Sequence, residues 1–81
     1  MPTEGGGFVK INLLDEIRST PAKEVAGLGS CVSYFDLFQR LRVLYGFDNK
    51  DLLTVQLEQL QSEGLVKLFF SDGVLCYIAP I

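Results

Sequence analysis

Asp72-Gly73 stands between two runs of strand-forming residues, Leu65-Val66-Lys67-Leu68-Phe69-Phe70 and Val74-Leu75-Cys76-Tyr77-Ile78. Asp-Gly tolerates the left-handed backbone of a tight hairpin turn, so the pattern predicts a β-hairpin with Ser71-Asp72-Gly73 at its tip. The longer periodic segments upstream are helical, which makes the hairpin the element that must cover the helices' apolar faces.

Three helices are expected. In Phe8–Arg18, Val9, Leu13 and Ile17 recur at i, i+4 and i+8 with Leu14 beside them, while Lys10, Asp15, Glu16 and Arg18 take the wetter side. Ser19-Thr20-Pro21 ends that helix, because the residue before proline avoids helical angles. Pro21–Ala26 then reads as a connector with one short helical turn, capped by Thr20 and broken by Gly27 and Gly29. Cys31-Val32 reads as a very short strand.

Ser33 opens the second helix in a capping-box-like Ser33-Tyr34-Phe35-Asp36. Tyr34, Phe38, Leu41 and Tyr45, widened by Leu37 and Leu44, form its expected inward stripe; Asp36, Gln39, Arg40 and Val43 lie away from it. Gly46 suits the position just past its end. The third helix is expected from Asp48 as cap, with Leu53, Leu57 and Leu60 inward, Leu52 and Val55 flanking, and Gly64 as its stop.

The order helix, mini-strand, helix, helix, hairpin is that of an α+β winged helix: a three-helix helix-turn-helix core with a C-terminal β-hairpin wing. A chain of 81 residues allows one such domain. Residues 8–81 are assigned to it and 1–7, with Gly5-Gly6-Gly7, to a flexible lead-in or linker. With 48% hydrophobic residues the chain can fill a core. It has no apolar run near the roughly 20 residues that span a bilayer and no signal-peptide pattern, so a nuclear or cytoplasmic protein is expected. Cys31 and Cys76 read as reduced, buried small hydrophobes.

The segment Phe47–Val66, a leucine-bearing helix running into Glu63-Gly64-Leu65-Val66, resembles the third helix and first wing strand of winged-helix domains. The likeness extends over residues 32 to 79. Within that superfamily the ending Lys67–Ile78 is similar to the C-terminal winged-helix domains of MCM replicative helicase subunits and to the winged-helix repeats of ESCRT-II subunits. The first resemblance implies an accessory domain in DNA replication; the second implies a protein-interaction module.

Catalysis is not expected. The chain has no histidine, which removes the Ser-His and Cys-His nucleophile pairs and the commonest metal ligand. Two cysteines 45 positions apart cannot form a closed zinc site of the usual kind, and neither glycine cluster has the context of a phosphate loop. No cofactor or small-molecule substrate is expected. A net charge of −3 also disfavours strong autonomous binding to nucleic acid, where phosphate neutralisation supplies most of the affinity.

Two functions remain. The first is docking onto a protein subunit of a larger complex. Phe69 and Phe70 are adjacent and point to opposite faces of a strand, so the wing carries apolar groups on both sides. Phe70, Leu75 and Tyr77, with Thr54, Glu58 and Gln61 on the third helix, are the expected interface. The alternative for the wing's second face is that the connector, with Val25 and Leu28, folds over it. The second function is weak, salt-sensitive contact with duplex DNA through Lys50, Arg40, Arg42 and Lys67.

Overall fold

The computed structural model describes residues 12–81. The expected lead-in (residues 1–7) and the start of the first helix (residues 8–11) lie outside the described residues. In chain order the elements are helix α1 (Leu13–Ser19), strands β1 (Lys23–Val25) and β2 (Gly29–Ser33), helices α2 (Tyr34–Tyr45) and α3 (Lys50–Ser62), and strands β3 (Val66–Ser71) and β4 (Val74–Pro80).

Each helix start is fixed by a side-chain cap that satisfies an orphan amide. Asn12 Oδ1 accepts from the Asp15 amide, Ser33 Oγ from Asp36 and Asn49 Oδ1 from Leu52. Asn49 therefore replaces the expected cap Asp48. Leu53 and Leu57 are fully buried and Leu52 and Leu60 half-buried against the core. Val55, two residues from both Leu53 and Leu57, falls on the opposite side of the helix at 56% exposure, contrary to its expected flanking role.

The end of α2 explains a second correction. Gly46 adopts φ 69°, its amide donates to the Arg42 carbonyl, and the Phe47 amide reaches back to the Leu41 carbonyl. This left-handed αL cap directs Phe47 into the core, edge-on to Phe38 with ring centroids 6.4 Å apart. The buried face of α2 is Leu37, Phe38 and Leu41, while Leu44 and Tyr45 are left about half exposed.

The connector holds the largest departure. Thr20 closes α1 rather than opening a new turn: its amide and its hydroxyl both donate to the Glu16 carbonyl. The residues after Pro21 extend into β1, which pairs antiparallel with β2 through Lys23↔Cys31, Glu24↔Ser30 and Val25↔Gly29. Gly27, at φ 82°, makes the tight turn with the Leu28 amide on the Val25 carbonyl. A six-residue helix with two glycines beyond it has little to bury, whereas a strand has a ladder waiting at β2. The connector thus lengthens the sheet and does not fold over the hairpin.

The expected hairpin is present. Ser71 pairs with Val74 around Asp72 and Gly73, both with positive φ as a two-residue primed turn requires. The antiparallel sheet runs β1-β2-β4-β3, and β2 meets β4 through Val32↔Ile78 and Ser33↔Tyr77. The chain is α+β, three helices and one four-stranded antiparallel sheet, compatible with a winged-helix-like arrangement. Leu13, Ile17, Leu37, Leu41, Leu53 and Leu57 from the helices meet Val32, Val66, Leu68, Leu75 and Ile78 from the strands in one core. Both cysteines are free thiols; Cys31 is buried as expected and Cys76 only half-buried.

Candidate functional site

The residues that lie off the inward stripe of α2 gather on one side of the molecule. Asp36, Gln39, Arg40, Val43 and Leu44 line an open groove of about 430 Å³, closed along its other side by Thr20 and Pro21 at the end of α1. Val43 is 81% exposed and Leu44 53%, so much of the lining is uncovered hydrocarbon.

Two ion pairs hold this groove. Lys23 Nζ lies 3.2 Å from Asp36, an exposed contact of little energetic weight. Arg40 Nε donates to Glu16 Oε1 at 2.7 Å, and the Tyr45 hydroxyl donates to Glu16 Oε2 at 2.6 Å. The Glu16 side chain is little exposed, and its one carboxylate fixes two side chains of α2 from α1. The Tyr45 bond, and then the Arg40 bond, hold the Glu16 carboxyl below its ordinary value; the same carboxylate pushes the Tyr45 phenol up. Because the pair uses only Nε, the terminal Nη groups of Arg40 have no hydrogen-bond or ion-pair partner among the described residues. Arg40 lines the groove.

A second hollow, about 310 Å³, opens where β2 stops and β4 continues without a neighbour on that side. Ser33, Tyr34, Phe35, Leu75, Cys76 and Tyr77 line it.

The expected interface is only partly brought together. Phe70 is 49% exposed, and Val74, which was not among the expected contacts, is 63% exposed beside the hairpin turn. Tyr77 is half-buried. Leu75 is buried at 7%, a correction with a clear cause. Phe69 pairs with Tyr77 and Phe70 with Leu75, so Cys76 is an extra residue in β4. The bulge resets the alternation and puts Leu75 on the same side as Ile78.

On α3, Thr54 is half-buried and Glu58 exposed, while Gln61 Oε1 accepts the Leu68 amide and is tied to β3. The face turned to solvent is Asp51, Val55, Glu58 and Ser62, one position round from the expected one.

The four expected phosphate contacts sit on three elements. Arg40 is held by Glu16, Lys50 lies over the Phe38 ring at 5.4 Å, and Lys67 lies over the Phe69 ring at 5.7 Å. Arg42 is exposed on α2. No group of acids and cysteines among the described residues is placed to hold a metal ion, and no helix among them is long and apolar enough to cross a membrane.

Of this groove sequence reasoning named only Arg40, as a phosphate contact, and missed Val43, Leu44, Pro21, Asp36 and Gln39, with Glu16 and Tyr45 behind Arg40. The exclusion of Gln39, Arg40 and Val43 from the core stripe was the available signal. No protein-family model, curated protein sequence or solved structure matches the chain.

Proposed function

We propose that this chain is a non-enzymatic docking domain of winged-helix type that binds a partner protein through the outer side of α2. One observation carries the reading: Val43 and Leu44 stay exposed beside Pro21 although the core next to them is filled by Phe47. Uncovered hydrocarbon of this kind, rimmed by polar groups, is what protein interfaces are built from. The hairpin residues Phe70 and Val74 form a second exposed apolar site on the same domain. The resemblance to MCM and ESCRT-II winged helices agrees with an accessory part of a larger assembly.

Duplex DNA is the weaker reading. A groove-entering helix meets phosphates, and the solvent face of α3 offers Asp51 and Glu58 there. Lys50 and Lys67 are engaged on aromatic rings, and their spread over separate elements leaves no basic stripe.

A photo-crosslinking residue in place of Val43, in the intact protein inside cells, tests this. A discrete protein adduct that disappears when Leu44→Glu is added supports docking. Absence of any adduct, together with duplex binding that weakens steeply as salt rises, transfers the assignment to DNA.

A further inference from the structure

We propose that the groove between the end of α1 and α2 is taken by this chain's own segment Phe8-Val9-Lys10-Ile11, an autoinhibitory contact that a partner displaces to reach Val43 and Leu44. This rests on the docking function above and adds its regulation.

Direction, capping and composition select this occupant. Thr20 and Pro21 meet Asp36 and Gln39 at one end of the groove, while Glu16, one turn earlier, bonds Arg40 and Tyr45 toward the other. Helix α1 therefore runs antiparallel to α2. Asn12, whose carbonyl accepts the Glu16 amide, lies a further turn on, at the Leu44-Tyr45 end. There Asn12 caps α1 with extended backbone, φ −86° and ψ 97°, so the chain before it leaves the helical path. Four extended residues reach about 13 Å from that point, enough to pass Leu44 and Val43. The groove has no net charge to attract an ion, because Lys23 and Arg40 are already paired with Asp36 and Glu16. What is left to cover is the hydrocarbon of Val43, Leu44 and Pro21. Phe8-Val9-Lys10-Ile11 matches that demand: in an extended run Val9 and Ile11 share one side and Lys10 takes the other, toward water. A segment joined to the groove's edge also competes at an effective concentration of about millimolar, which no dilute free segment of equal apolar content reaches.

The test uses the purified 81-residue chain alone, with a photo-crosslinking residue in place of Val43. Val43 is 81% exposed, so the replacement spares the core, and circular dichroism checks the fold. The expected result is a link within one chain, mapped by mass spectrometry to residues 8–11 and independent of protein concentration. Val9→Ser with Ile11→Ser lowers the yield of that link about tenfold, the loss of apolar burial in the groove. In cells the same pair of substitutions raises the partner adduct formed from position 43. No link to residues 8–11 in the purified chain overturns the proposal and leaves docking intact, since the partner adduct does not depend on it. Links that form only between chains and grow with concentration overturn it in favour of a second copy. A partner adduct that weakens with the two substitutions would make the segment part of the partner's site, and overturns its displacement.

Discussion

The outward sides of α2 and α3 share helical geometry and differ in how much apolar surface they leave uncovered. On α2, Glu16 reaches across from α1 and takes one donor of Arg40 beside exposed Val43 and Leu44. On α3, Gln61 is occupied by the Leu68 amide, Gln59 donates to Glu63, and Lys50 lies on Phe38. Asp51 and Glu58 remain around a single exposed valine, Val55. The first surface gathers Val43, Leu44 and Pro21 into one apolar groove; the second shows a single valine among acids. Contiguous apolar area with a polar rim distinguishes a recognition surface from an ordinary solvated helix face.

The contrast can be broken or sharpened experimentally. The largest effect is expected where α3 faces inward: Leu57→Ala removes a fully buried side chain and costs about 2–5 kcal/mol, whereas Val55→Ala stays within about 0.5 kcal/mol. Paired denaturant melts decide this, and equal losses would mean that α3 has no free face. Next is Gly46→Ala at the end of α2. Nothing crowds a methyl group there, but φ 69° costs an L-residue about 1–2 kcal/mol. A loss near zero would show that the turn behind Phe47 does not depend on that conformation.

The smallest and most specific effect belongs to Glu16. Its carboxyl titrates below the ordinary 4.5 when folded, so its contribution is complete above that value and disappears as pH falls through the lowered one. Thermal melts of the wild type and Glu16→Gln should therefore converge in acid and separate toward neutrality. The Tyr45 phenol is raised above its ordinary 10.0 by the same carboxylate, so its share of stability is present below that value and is lost as pH rises through the raised one. Alkaline absorbance titration should find Tyr45 returning toward its ordinary value in Glu16→Gln. Melting curves that stay parallel across acid pH would dissolve the link between α1 and the groove.

The parts of the fold written in local chemistry were legible. Ser33 and Gly46 bound α2, Gly64 ends α3, and Asp72-Gly73 turns the hairpin, because caps and turns act within a few residues of themselves. Lys23-Glu24-Val25 was not legible as a strand, since three residues carry no period and their ladder lies on β2. Leu75 was misplaced for a related reason: one added residue, Cys76, inverts a two-residue alternation, and no residue type marks the bulge. At the site, Val43 could be seen to lie off the core stripe. The bond from Glu16 to Arg40 joins residues 24 apart and exists only once α1 and α2 are packed, so neither residue signals it.

The bond between Gln61 and Leu68 bears on how the protein behaves when concentrated. Strand β3 forms one margin of the sheet, where a bare row of amides and carbonyls would offer itself to a strand from another molecule. The Gln61 side chain places its oxygen on the Leu68 amide at 2.9 Å, the position a foreign carbonyl would take. A residue expected to reach toward partners is therefore spent within the molecule, and it takes from this margin one of the amides on which a fibre-like addition of strands would build.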